Sequence, residues 1–336
     1  MSDHLPAGYR LSPPDAVDTA AVRTLVTACQ IAEFGAADEA MIEGVLVTRK
    51  ARGFDAMRDS WAVEAAGGGL AAYGHLGPGE RAHRYAHAFV HPARNAHGLG
   101  SWLLARIEER AAPALQSGRL QDAATVQHAE GMPDGVTTLE QWVAAPNAAA
   151  RELLRGAGYA EVRHMWGMAI SLDDALELPD WPAGVSVRVC VGESDLRLAY
   201  RASEEAFRDH WHYEPKTYEQ FLESVSSSAG LEPSLCFLAQ AEIAVGTAEV
   251  VGAALCETFP ALGRGWVNSL GVRLAWRGRG IGIALLRHAF GEFRARGLRE
   301  AALGVDAQNP TGATRLYERA GMHIERQYDV FEKTLI

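Results

Sequence analysis

Two periods of apolar spacing run through this 336-residue chain. Residues 185–190, 234–241, 247–257 and 266–273 carry short runs of apolar and β-branched side chains, which predict strands, while 193–208, 216–228 and the stretch from 281 repeat apolar positions every three to four residues, which predicts helices. In the last of these, Ala284, Leu285, His288, Ala289 and Phe293 share one helical face. A strand at 299–306, a helix at 311–320 and a final strand pair complete the second half. The first half reads in a similar order, with strands near 60–66, 70–77, 84–91 and 123–129 and helices near 15–30, 37–52, 98–111 and 147–156. Residues 131–138 have no period and read as a loop. Strands and helices mixed in this way predict an α/β fold with a mainly antiparallel sheet and some parallel pairing.

The order repeats because segments repeat. Pro6–Leu11 is echoed by Pro182–Val187, and the turn His91–Gly100 leads into a helix just as the turn before Ile283 does. Ala150–Tyr159 is likewise echoed by Ala313–Met322. The chain therefore reads as two homologous domains, 1–172 and 184–336, joined by a polar, proline-bearing linker containing Asp173, Asp174, Glu177, Pro179, Asp180 and Pro182.

Composition narrows the chemistry. A hydrophobic content of 48% and a charged content of 22% can fill two ordinary cores. The formal net charge of −10 argues against a nucleic-acid partner and suits a cationic substrate. Cys29, Cys190, Cys236 and Cys256 form no C-x-x-C pair and read as buried thiols in a reducing compartment, so a cytoplasmic protein is expected. The start of the chain lacks a basic segment followed by an apolar one, and no run of about 18 apolar residues occurs, so no membrane partner is expected. A monomer or a homodimer is expected.

The chemistry gathers where the strand at 266–273 meets the helix from 281, at Arg277-Gly278-Arg279-Gly280-Ile281-Gly282. Glycines let backbone N–H groups approach an anion at a helix N-terminus, where the dipole already favours negative charge, and the two arginines add formal charge. The spacing is neither the G-x-G-x-x-G of a dinucleotide fold nor a Walker loop. It is R-x-x-G-x-G, followed about 27 residues later by Asn309-Pro310-Thr311-Gly312-Ala313-Thr314-Arg315-Leu316-Tyr317-Glu318-Arg319-Ala320-Gly321-Met322. The pair resembles the acyl-coenzyme A motif and the N-P-x-x-A-x-x-L-Y-x-x-x-G-[FM] helix of the GCN5-related N-acetyltransferase (GNAT) family. The repeated halves look like its tandem-domain members, whose C-terminal domain is catalytic. The implied fold is two tandem GNAT-like domains, each a mixed, mainly antiparallel sheet flanked by helices.

The resemblance implies an acyl-CoA-dependent N-acyltransferase, with acetyl-CoA or another acyl-CoA as co-substrate and no metal. A small-molecule primary amine would attack the thioester directly. A non-catalytic acyl-CoA sensor and a peptide or protein N-terminal acetyltransferase are the alternatives. Acyl transfer needs a donor for the carbonyl oxygen, a base for the ammonium proton and an acid for the leaving thiolate. By resemblance, the strand end Leu270-Gly271-Val272 pairs with the pantetheine arm and polarises the thioester, Arg277 to Gly282 hold the pyrophosphate, Asn309 contacts the pantetheine and Tyr317 protonates the sulfur. An ordinary buried strand with Gly271 at a bulge is the structural alternative for the first of these.

The base is less determined. Many relatives carry a glutamate on the fourth strand, where this chain has Trp266, Asn268 and Ser269. Glu257 is the nearest carboxylate, Asn268 and Ser269 could hold a relaying water, and His210 and His212 are further options. His210 and Trp211, within Asp209–Pro215, and Asn268 are the expected contacts of the amine acceptor. Histidines 75, 83, 87, 91 and 97 lack the companions a zinc site needs, so no metal ligand is expected. In the first half Asn95, Ala96 and His97 stand where Arg277, Gly278 and Arg279 stand in the second, and Leu154 stands opposite Tyr317. That half reads as a worn copy.

Overall fold

The computed structural model describes residues 4–78, 83–112, 137–173, 176–225, 232–244 and 246–335. Chain contacts divide into two units, Met1–Arg163 with Tyr328–Ile336, and His164–Gln327. In chain order the elements are β1 (Tyr9–Ser12), α1 (Thr19–Phe34), α2 (Glu39–Thr48), α3 (Ala56–Asp59), β2 (Ser60–Ala65), β3 (Leu70–Leu76), β4 (His83–Val90), α4 (Leu99–Ala111), β5 (Thr137–Ala144), α5 (Ala148–Gly156) and β6 (Ala160–Ser171). They continue with β7 (Val185–Val189), α6 (Gly192–Phe207), α7 (Tyr218–Val225), β8 (Cys236–Ala244), β9 (Thr247–Phe259), β10 (Arg264–Val272), α8 (Ile281–Ala295), β11 (Glu300–Asp306), α9 (Ala313–Arg319) and β12 (His323–Leu335).

The first unit's strands run in the order β1-β2-β3-β4-β5-β12, antiparallel except for the parallel pair β4–β5. The second unit's strands run β6-β11-β10-β9-β8-β7, antiparallel except for the parallel pair β10–β11. In each unit the parallel pair is connected through a helix, α4 or α8, as the crossover between parallel neighbours requires. The mixed, mainly antiparallel α/β architecture read from the sequence is thus present in both.

Two expectations are corrected. The final strand pair is one 13-residue strand, β12. Strands β5 and β6 have no counterpart in the sequence reading of the first half; β5 begins at Thr137, inside the stretch 131–138 read as loop, and the strand read at 123–129 falls outside the described residues. The division of contacts at Arg163/His164 also differs from the linker at 172–184. Met165–Ser171 pair with β11, and Tyr328–Leu335 pair with β5, so each unit completes its sheet with chain from the other half of the sequence. Strand partners are set by tertiary hydrogen bonding, which periodicity does not record.

What positions the site is the packing around β10. Ile281, Ala284, Leu285, Leu286, Ala289, Phe290 and Phe293 form the buried face of α8, while α6 buries the small residues Ala199, Ala202, Ser203 and Ala206. A Cβ on Gly271 would lie 2.8 Å from the Ala206 Cβ, so glycine there permits the close approach of α6 to β10. The bulge sits elsewhere. The β9–β10 register shifts between Val267 and Ser269, which leaves Asn268 as the extra residue.

Candidate functional site

Strand β10 pairs with β11 at only three positions, Arg264 to Trp266, and beyond them runs along β9 alone. The backbone of 267–272 on the β11 side is thereby released from the ladder and left for another partner. The released end opens on a cleft of about 520 Å³ in the second unit, lined among others by Leu270, Gly271, Val272, Gly278, Gly280, Gly282, Asn309 and Tyr317.

One wall of the cleft is the start of α8. Its N-cap, Gly280, has φ +87° and offers no side-chain cap, so the first-turn N–H groups at Ile281 to Ile283 have no intrahelical partner and mark the positive end of the helix dipole. The opposite wall is α9, whose N-cap Gly312 also lies in the left-handed region, at φ +76°. The two helices meet closely: a Cβ on Gly282 would stand 2.9 Å from the Leu316 Cδ1. Tyr317 is 8% exposed, and burial pushes its hydroxyl up to about 12. Asn309 lines the cleft, but its Oδ1 already accepts from the Thr311 N–H at 2.8 Å and the Thr311 hydroxyl at 2.5 Å, closing the turn into α9.

The arginines are arranged differently from the sequence reading. Arg277 lines the cleft, yet its guanidinium is engaged by Asp209 through two bonds, of 2.6 and 3.1 Å, and donates to the Ala206 carbonyl at 2.6 Å. Arg279 lies outside the lining; its guanidinium sits 4.6 Å above the Trp276 ring and donates to the Ala275 carbonyl. The cationic lining includes instead Arg315 and Arg319, which the sequence reading missed. Their signal was available, because the i, i+4 spacing on α9 puts both on one side of that helix, which faces the cleft.

Of the proposed acceptor residues, His210 lines the cleft, its ring 4.5 Å from that of Phe207. Burial lowers its pKa below 6.5, against Asp209 and Asp306, which pull it up, and with Arg277, which adds to the lowering. Trp211 packs on His212 outside the lining, and Glu257 and Asn268 lie outside it too. The last two are joined, the Asn268 side-chain amide donating to Glu257 at 2.7 Å. Glu257 stands opposite Trp266 in the β9–β10 register.

The first unit holds a second, smaller cleft of about 270 Å³ in the equivalent place. Gly98 caps α4 at φ +80°, and Ala96, although not glycine, keeps the left-handed conformation at φ +64°. The lining there contains Leu153 and Leu154 and the carboxyl group of Glu33, whose pKa burial raises and to which Asn147 donates at 2.7 Å. Turn geometry survives in this copy; the tyrosine and most of the cationic lining do not. All four cysteines are buried and free, and among the described residues no helix is long and apolar enough to cross a membrane.

A model of the Acetyltransferase (GNAT) family matches residues 196–322, a span that contains every residue lining the larger cleft. A mycothiol acetyltransferase from Thermobispora bispora is 29% identical over 235 residues, 69% of this chain and 70% of that protein. The crystal structure of a GCN5-related N-acetyltransferase from Sphaerobacter thermophilus aligns over 98% of this chain and 97% of its own, with a TM-score of 0.76 and 35% identity. A tandem GNAT protein from the clavulanic acid biosynthesis pathway shares the fold over 97% of this chain and 98% of its own, with a TM-score of 0.65 and 15% identity.

Proposed function

Since the chain belongs to the GCN5-related N-acetyltransferases, enzymes with acetyl-CoA as co-substrate, we propose that residues 164–327 transfer the acetyl group to the primary amine of a small molecule by direct attack on the thioester. One observation carries the assignment to this unit. The released end of β10, the uncapped start of α8 and the Tyr317 hydroxyl converge on a single cleft. In this reading the pyrophosphate sits on the N–H groups of 278–283, with Arg315 and Arg319 balancing phosphate charge. The pantetheine extends the sheet along Leu270 to Val272, and a β10 backbone N–H polarises the thioester carbonyl. Tyr317 protonates the departing sulfur.

For the ammonium proton we assign Glu257. It faces Trp266 across the strand pair, beside the position where relatives carry their glutamate, and Asn268 of the bulge fixes its carboxylate. His210 supports a second reading, because it lines the cleft and burial favours its neutral, proton-accepting form. The first unit takes no catalytic step here, since Leu154 replaces the tyrosine; its role is structural and substrate-shaping. The net charge of −10 supports a cationic amine, and the name of the Thermobispora relative, a mycothiol acetyltransferase, supports a small-molecule acceptor. Incubating the protein and acetyl-CoA with amino sugars, amino-acid derivatives, aminoglycosides and short peptides, and reading free thiol, tests this. Thiol release with small amines is expected; turnover with peptide N-termini alone would sink the small-molecule assignment.

A further inference from the structure

Glu205 in the last turn of α6 and Asp209 in the loop just after it stand four residues apart, and Arg273 and Arg277 stand at the same spacing after β10. The two sets interlock. Glu205 accepts from Arg273 at 2.7 Å and from the Leu274 N–H at 3.1 Å, while Asp209 takes both terminal nitrogens of Arg277. One of those nitrogens also reaches the Ala206 carbonyl, and the Arg277 Nε reaches the Val272 carbonyl at 3.4 Å. The guanidinium that opens R-x-x-G-x-G is therefore occupied by protein acceptors from the end of α6, the loop after it and the end of β10.

The loop at 208–217 is fastened at its other end as well. The Tyr213 hydroxyl and the Lys216 N–H donate to Glu204 at 2.8 and 3.0 Å, and the Tyr200 hydroxyl donates to the Lys216 carbonyl at 2.6 Å. Between the anchors His212 has φ +50°, a conformation that L-residues adopt only when their surroundings hold it, and His210 is presented to the cleft.

We propose that Arg277 is a positioning residue that ties the 208–217 loop to the coenzyme turn, so that a coenzyme seated on 278–282 stiffens the acceptor side of the cleft, rather than a cation that binds the pyrophosphate. This rests on reading that turn as the coenzyme's seat. An anion held by the turn's N–H groups fixes the backbone from which Arg277 springs, and the bidentate pair passes that rigidity to Asp209.

Hydrogen exchange of the full chain with and without acetyl-CoA, alongside calorimetry, tests it in the parent, Asp209→Asn and Arg277→Gln, with no acceptor needed. In the parent, acetyl-CoA slows exchange across 208–217. In both variants its dissociation constant stays within about threefold, as suits loss of a half-exposed ion pair, and the slowing disappears. The charge-exchanged pair Asp209→Arg/Arg277→Asp restores part of the slowing. Tighter binding by Asp209→Asn with about tenfold weaker binding by Arg277→Gln would make Arg277 a phosphate ligand and overturn the proposal. Faster loop exchange in the parent on addition of acetyl-CoA would overturn it too, since the coenzyme would then be taking Arg277 from Asp209. A parent protein that does not bind acetyl-CoA removes the coenzyme seat itself, an outcome separate from either of these.

Discussion

Tyr317 keeps its proton throughout the neutral range as any tyrosine does, and burial in the wall of α9, which moves its hydroxyl up to about 12, makes it a weaker acid still. A free thiol has a pKa of about 8.5, so this phenol is an available but weak acid for a leaving thiolate. General acid catalysis is worth about 10²–10⁴-fold, and the raised pKa puts Tyr317→Phe at the lower end of that range. We expect kcat to fall about 10²-fold with the dissociation constant of acetyl-CoA unchanged, because the ring and its packing remain. Wild-type turnover by the phenylalanine variant would reduce Tyr317 to a packing residue. The base is separated by its pH profile. If Glu257 accepts the proton, Glu257→Gln lowers the rate and removes the acid limb of the profile, while His210→Gln retains it; if His210 does, its replacement instead removes a limb lying below pH 6.5, the side to which burial moves it.

At the scale of elements, the two helix starts form a natural control. Gly280 and Gly98 both cap a helix from the left-handed region, at φ +87° and +80°, so an aspartate at either costs backbone strain of roughly 1–2 kcal/mol. Only at 280 would the new carboxylate also face the proposed pyrophosphate. Gly280→Asp is expected to abolish acetyl-CoA binding by calorimetry, whereas Gly98→Asp is expected to leave it within about threefold. Equal losses would place the coenzyme in both clefts. A second element-scale feature lies on β3 and β4, where His75 is fully buried with neither ring nitrogen hydrogen-bonded and lies 5.3 Å from the His87 ring. Burial, then His87 and Arg49, hold His75 well below 6.5, and burial lowers His87 to about 4. Unfolded chain gains these protons below about pH 6.5 and folded chain does not, so the stability present above that pH declines as pH falls through it. Thermal melts of His75→Leu should show a flatter acid dependence than the parent between about pH 6.5 and 4.

On the scale of the whole molecule, the exchanged strands decide which unit fails first. Phe331 is fully buried on β12 and packs with Leu139, Leu154 and Tyr159 in the first unit, where Asp329 also meets Arg151 at 3.0 Å. Removing such a ring costs about 3–5 kcal/mol, a large share of what holds a domain of this size. Phe331→Ala is expected to raise amide exchange across β5 and α4 while α8 keeps its protection. Simultaneous loss of protection in α8 would mean that the units unfold as one.

The sequence by itself determined the two-fold repetition, the α/β class, the glycine turn before α8 and the helix bearing Tyr317. These are local facts, written in spacing and in residues that only certain turns tolerate. The same locality explains its misses. Arg277 looked like a free cation because nothing in R-x-x-G-x-G names Asp209, 68 residues away, as its partner. The structural alternative of a bulge at Gly271 was misplaced as well, since the bulge belongs to Asn268 and the glycine answers to Ala206 on another element. Which strands close each sheet was decided by tertiary structure alone, since hydrogen bonds between strands far apart in sequence leave no period in either. Ligand-facing geometry depends on such long-range partners, so the chemistry was legible in the residues and its arrangement only in the fold.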